Sequence, residues 1–150
     1  MIDSVLITRK INLIAAHLKA LVPYAELSLQ AYLKEPVNEV AVERYLERVI
    51  GRMIDISYHI VTELGHPPPK DYFESFTMMG KMEVLPVKFS RSVAQAAGLR
   101  NRLVHEYNDL DPQKVYQAMK EALQSIRRYL EHVHRFVRSS RGRRKAPKKD

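Results

Sequence analysis

Arg100, Asn101, His105 and Tyr107 fall within eight consecutive positions of a 150-residue chain, in the run L-R-N-R-L-V-H-E-Y-N-D-L-D from Leu99 to Asp111. An arginine grips a phosphate through a planar fork of donors, and a histidine moves a proton near neutral pH. The combination points to phosphodiester chemistry. On RNA it calls for no metal and no other cofactor. His105 takes the proton of a ribose 2′-hydroxyl as that oxygen attacks the adjacent phosphorus, or protonates the leaving oxygen, while Arg100 meets the charge growing on the phosphoryl oxygens. The alternative is an ordinary helix end, with Arg100 and His105 as a cation pair, Asn101 exposed and Tyr107 packed.

The helix that must position these groups starts at Pro86 and runs to about Glu106, with Phe89, Val93, Ala96 or Ala97, Leu103 and Val104 as its apolar face. At roughly 100° per residue Asn101 and His105 share a face, whereas Arg100 lies about 140° from His105. One helix therefore presents half of a site, and a second His105 from a dimer partner would supply the complementary acid or base. Ala94, Ala96, Ala97 and Gly98 keep one side narrow enough for another copy to approach.

Three further stretches carry helical periodicity. Ile7, Ile11, Ile14, Leu18 and Leu21 form one stripe, which Pro23 is expected to stop. A short piece follows over Ala25 to Lys34. Asn38 is a good N-cap for a long helix with Val42, Leu46, Val49, Met53, Ile56 and Ile60 as its seam, ended by Gly65. Asp71 caps a short helix closed by Gly80, and Asp111-Pro112 opens a last one carrying Val115, Met119, Ala122, Ile126, Tyr129, Val133 and Val137. No strand alternation appears. The expected fold is all-α, an antiparallel bundle of four principal helices with one or two short extra ones.

Composition bounds the rest. The length suits one filled core, and the chain has no cysteine, which excludes disulfides and thiolate metal sites. No apolar run approaches the ~20 residues of a bilayer span, and the N-terminus lacks a signal pattern, so a cytoplasmic protein without membrane contact is expected. Residues 1–126 carry 15 basic and 15 acidic residues, and residues 127–150 carry 10 basic against 2 acidic, so the C-terminal arm holds the whole net charge of +8. Arg138, Arg141, Arg143 and Arg144 in this arm, with Arg102 beside the central motif, are candidate phosphate contacts; a solubilising tail is the alternative. The composition divides the chain into a bundle over 1–138 and a disordered basic tail over 139–150.

Other polar groups read more plainly. His17 flanks its helix as a packing or surface residue. Asp55, His59 and Glu63 lie four apart on one face, either as a metal-binding or supporting trio or as a polar edge, the latter favoured. Tyr72, Phe73 and Phe76 read as core or interface filler.

The string Arg100-Asn101-x-x-x-His105-x-Tyr107 on the penultimate long helix resembles the motif of HEPN-domain proteins, specifically the HepT-like toxins. Ile54 to Ile60, the stretch from Gly65 through Tyr72 to Phe76, and the R-N-R-L-V-H-E-Y run extend the similarity over roughly residues 5–135. The resemblance implies a metal-independent endoribonuclease toxin that forms a homodimer with its motifs facing a shared cleft. It further implies a partner, an MNT-type nucleotidyltransferase antitoxin that silences the toxin by adding AMP to a tyrosine. By position, Arg100 and His105 match the catalytic pair, Asn101 the polar residue after the arginine, and Tyr107 the modified tyrosine. The chain departs from the family in carrying Gly51-Arg52 where an acidic residue is common, and in its long basic arm. Two other functions compete: a non-catalytic helical subunit of a nucleotidyltransferase, and a basic nucleic-acid-binding bundle.

Overall fold

The computed structural model describes residues 1–105 and 110–140, and the backbone of 141–145. Seven helices follow in order: α1 (Ser4–Glu26), α2 (Leu29–Lys34), α3 (Pro36–Glu63), α4 (Tyr72–Lys81), α5 (Val87–Val93), α6 (Gln95–His105) and α7 (Pro112–Lys145). With α5 and α6 taken as one bent rod, this is the expected bundle of four principal helices with α2 and α4 as the short extras. Among the described residues there is no strand, and no helix is long and apolar enough to cross a membrane.

The direction of each rod follows from its cross-links. Asp3, Lys10 and His17 of α1 and its cap meet His59, Asp55 and Arg52 of α3 in reverse order, so the two run antiparallel. Tyr116 at the start of α7 donates to the Leu27 carbonyl at the foot of α1, 2.7 Å away, and Tyr129, about half-way along α7, bonds the Met53 carbonyl of α3 at 3.0 Å. Hence α7 runs parallel to α3 and antiparallel to α1, while α6 descends against α3 and α4 with a groove between it and α7. The motif end of α6 and the basic end of α7 lie at opposite ends of the bundle.

The seams read from the sequence are the core. Ile7, Ile14, Leu18 and Leu21 of α1, all six expected positions of α3, and Val115, Met119, Ile126, Tyr129, Val133 and Val137 of α7 are buried. The Tyr129 hydroxyl, fully enclosed, is satisfied by Ser57 Oγ at 2.7 Å as well as by Met53, which joins α3 to α7 through a polar contact inside the core.

Several boundaries differ from expectation. α1 continues through Pro23 to Glu26: proline's fixed φ is helical, and near a C-terminus the missing N–H costs one bond to a carbonyl that solvent can reach. Ser28, whose side chain accepts the Ala31 N–H, is the cap of α2. Pro36 rather than Asn38 opens α3, and the Asn38 amide donates instead to the Tyr32 carbonyl at 3.2 Å. Gly80 does not close α4. It lies buried within the helix, where a Cβ would stand 2.1 Å from Ser90 Oγ, so its bareness lets α5 pack against α4. The helix ends one residue later, with Glu83 taking φ 61. The single helix expected from Pro86 breaks at Ala94, where the bond from the Ala97 N–H closes the tighter i to i+3 ring. Finally, α7 runs past Ser139 to Lys145.

Candidate functional site

α6 is held to the core by buried Ala97 and Leu103, with Ala96 and Leu99 packed at the edge of it, and its polar side chains are turned outward or sideways. Three flanks result. Arg100 points to one side, toward α3 and α4. Asn101 and His105 stand exposed on the outer ridge with Gly98 between their flank and that of Arg102. Arg102 lies on the other side, against Leu99, Lys114 and Ala118 of the α6–α7 groove, with its guanidinium folded back beside Gly98.

Arg100 is not a loose surface cation. Its guanidinium lies 5.1 Å from the centroid of the Tyr72 ring, a cation–π contact at the first residue of α4. Tyr72 is itself braced by Tyr58, edge-on at 6.4 Å, whose hydroxyl donates to the Pro69 carbonyl. Asp71 fixes this end of α4 by accepting the Glu74 N–H at 2.7 Å. The triple-proline loop thus delivers an aromatic platform on which the arginine rests. The filler reading of α4 is right for Phe76, which is fully buried, but Tyr72 and Phe73 are at the surface.

Beneath Arg100 runs an open groove of about 340 Å³ lined by Arg48, Gly51, Arg52, Ile54, Asp55, Tyr72 and Arg100. The sequence alone does not single out Arg48 and Arg52 as site residues. Their four-residue spacing on α3 is visible there, but that this flank faces Arg100 is a tertiary fact. Arg52 is oriented by His17, whose Nδ1 accepts its Nη1–H at 2.9 Å. Burial, then the charges of Arg52 and Arg48, push the His17 pKa below its ordinary value, so it serves Arg52 as a neutral acceptor.

The trio of Asp55, His59 and Glu63 forms a polar edge engaged with α1. Asp55 pairs with Lys10 at 3.1 Å, His59 Nε2 accepts the Asp3 N–H at 2.9 Å, and Glu63 meets the N-terminal ammonium. Burial lowers the His59 pKa, opposed by Asp3, in keeping with a neutral ring. Among the described residues no three of His, Cys, Asp and Glu gather as metal ligands.

Not all expected residues come together. Tyr107 lies outside the described residues, as do the side chains of Arg141, Arg143 and Arg144. Arg138 is exposed but remote: between Val115 and Arg138 α7 rises roughly 35 Å away from the motif end. Tyr129, within the basic run, is a core residue and offers no face to a nucleobase.

Comparison with known proteins bears on the same region. A family model described as Ribonuclease HepT-like matches residues 11–133. A tRNA nuclease HepT of Aphanizomenon flos-aquae is 34% identical over 136 residues, covering 91% of this chain and 92% of that protein. An mRNA nuclease HepT of Shewanella oneidensis is 26% identical over 88 residues, 59% of this chain and 66% of that one. Among solved structures, the tri-AMPylated Shewanella oneidensis HEPN toxin in complex with its MNT antitoxin superposes with a TM-score of 0.79 at 23% identity, over 89% of this chain and 98% of that one. A cytosolic protein of unknown function from Bacillus subtilis, YutE, gives 0.80 at 14% identity over 93% of each. At such identities the structures speak for the fold alone. The family model and the 34% relative, each spanning both the core helices and the Arg100–His105 segment, say more: this chain belongs to the HepT-like ribonucleases.

Proposed function

We propose that the chain is the toxin of a toxin–antitoxin pair, a metal-independent endoribonuclease acting in the cytoplasm as a homodimer, with Arg100 and His105 as its catalytic residues and Asn101 beside them. The observation that carries this reading is the placement of Arg100. It is held over Tyr72 at the rim of an open groove, with exposed His105 further along the same helix, in a chain whose family is ribonucleolytic. Imidazole moves the protons and guanidinium answers the phosphoryl charge. His105 accepts the 2′-hydroxyl proton, the 2′-oxygen bonds to phosphorus, and the P–O5′ bond breaks with its oxygen taking a proton from the second histidine.

The division of labour on α6 supports the dimer reading. Arg100 turns into its own groove while Asn101 and His105 face outward across bare Gly98, so two copies packed ridge to ridge would set two histidines about one cleft, with each Arg100 on its flank. The partner that silences it would be a nucleotidyltransferase of the kind found with the Shewanella oneidensis toxin. AMP on Tyr107, two residues beyond His105, would place a phosphate's negative charge where RNA must pass.

The test is cleavage of total RNA by the purified protein with chelator present. Arg100→Ala and His105→Ala should each lower the rate by at least about 10²-fold with the melting temperature retained. Undiminished cleavage by the His105→Ala protein would remove the chemistry proposed.

A further inference from the structure

The groove under Arg100 holds more positive charge than the chemistry of one phosphate needs. Arg48, Arg52 and Arg100 line it, and among the described residues none of the three is paired with a carboxylate. Its one acid, Asp55, is answered from the α1 side by Lys10. Arg52 is half-buried and aimed by the neutral ring of His17, an arrangement that leaves the other donors of its fork open. Because α3 and α6 are antiparallel, Arg48 lies one turn from Arg52 toward the His105 end. The positive track therefore leads from the platform at Tyr72 in the direction of the histidine.

Gly51 stands at the floor, inside the 28-residue helix α3, where glycine is the poorest helix former after proline. Nothing in the fold asks for it: its φ is not in the left-handed region and a Cβ there would meet no atom within 4 Å. The missing side chain leaves room in the groove alone. The ring of Tyr72 borders the same space.

We infer that Arg48 and Arg52 seat the RNA backbone phosphate adjacent to the one on which Arg100 and His105 act, and that Gly51 is the bare floor on which it lies. The site thus takes two successive phosphates of single-stranded RNA, one at His105 and one in the α3–α4–α6 groove. Arg52 contributes a planar fork held by His17, and Arg48 a more mobile charge at the solvent edge. The inference rests on the ribonuclease reading for the identity of its ligand.

The probe is a fluorescein-labelled oligouridylate, titrated into the full-length His105→Ala protein, used so that binding is read without cleavage, at several salt concentrations. Arg48→Gln with Arg52→Gln should weaken binding about tenfold and flatten the plot of log affinity against log salt by roughly 0.7 for each phosphate no longer neutralised. Gly51→Leu should weaken binding with the slope kept, because it fills the floor and removes no charge. Arg48→Gln alone, at an exposed position, carries the slope test if the double variant fails to fold. An unchanged slope and affinity in these variants overturns the inference, as does an arginine dependence seen with ATP and not with the oligonucleotide. The outcomes are separable from those for the nuclease: RNA cut by the unaltered protein with no arginine-dependent slope sinks the groove alone, whereas an arginine-dependent slope in a protein that cuts no RNA supports the groove and sinks the nuclease.

Discussion

Arg100 is presented by an aromatic ring. A guanidinium on a solvated helix samples many rotamers, and each must be given up when a phosphate is gripped. Stacking on Tyr72 removes part of that freedom before substrate arrives. Such a contact at a partly exposed site is worth ~0.5–1 kcal/mol, which sets the size of the effect. Tyr72→Leu should lower kcat/KM for RNA about two- to fivefold with little change in thermal stability, since Tyr72 is 36% exposed, and Tyr72→Phe should keep most of the activity. A loss as large as that of Arg100→Ala would mean instead that the tyrosine hydroxyl takes part in the reaction. None of this is legible in the sequence: Arg100 and His105 announce themselves by type and spacing, but a partner 28 positions upstream does not.

Helix by helix, the seams are readable because a buried stripe repeats every three to four residues whatever lies opposite it. The boundaries are less so, because each depends on a neighbour. Gly51 and Gly80 illustrate the difference, being the same residue in two helices with opposite roles. Gly80→Ala must push Ser90 aside and should destabilise by about 1–3 kcal/mol, while Gly51→Ala relieves helix entropy in open space and should stabilise by about 0.5–1 kcal/mol; denaturant midpoints at constant m-value measure both. α3 also carries Glu39 and Glu43, one turn apart beside buried Tyr32. Burial, then a hydrogen bond to Glu39 and its charge, raise the Glu43 carboxyl from 4.5 to about 7. The folded state holds that proton more tightly than the unfolded chain. The resulting stability is complete below the unfolded value of 4.5 and is lost as pH rises through about 7. The melting temperature should fall across this interval, and Glu43→Gln should reduce the fall and be the more stable protein at alkaline pH.

At the scale of the whole molecule, the all-α bundle is the part most fully legible, since helix count and order follow from pattern and punctuation. The position of the basic arm is not. Composition alone sets those arginines near any phosphate, whereas the up-and-down topology carries Arg138 to the end opposite the motif. Assembly is the other property of this scale. A chain of 17.4 kDa that works as a pair should elute at about twice that mass, and Gly98→Trp, which adds bulk to the exposed ridge where a Cβ meets only the far end of Arg102 at 3.8 Å, should return it to the monomer with its helical content retained. Light scattering decides it.

The shallow seating of α6 has a consequence for how such a protein is governed. α3 has ten fully buried residues, and the shorter α6 has two, Ala97 and Leu103, with Ala96 and Leu99 packed at the core's edge. With so few fully buried residues, α6 should open and reclose ahead of global unfolding, at a free energy from the low end of the molecule's range. Any surface that lies along its ridge, whether a second copy or an inhibitory partner, therefore acts on the reactive helix by deciding how much of the time it is formed. Amide exchange in α6 should report that occupancy before any RNA is cut.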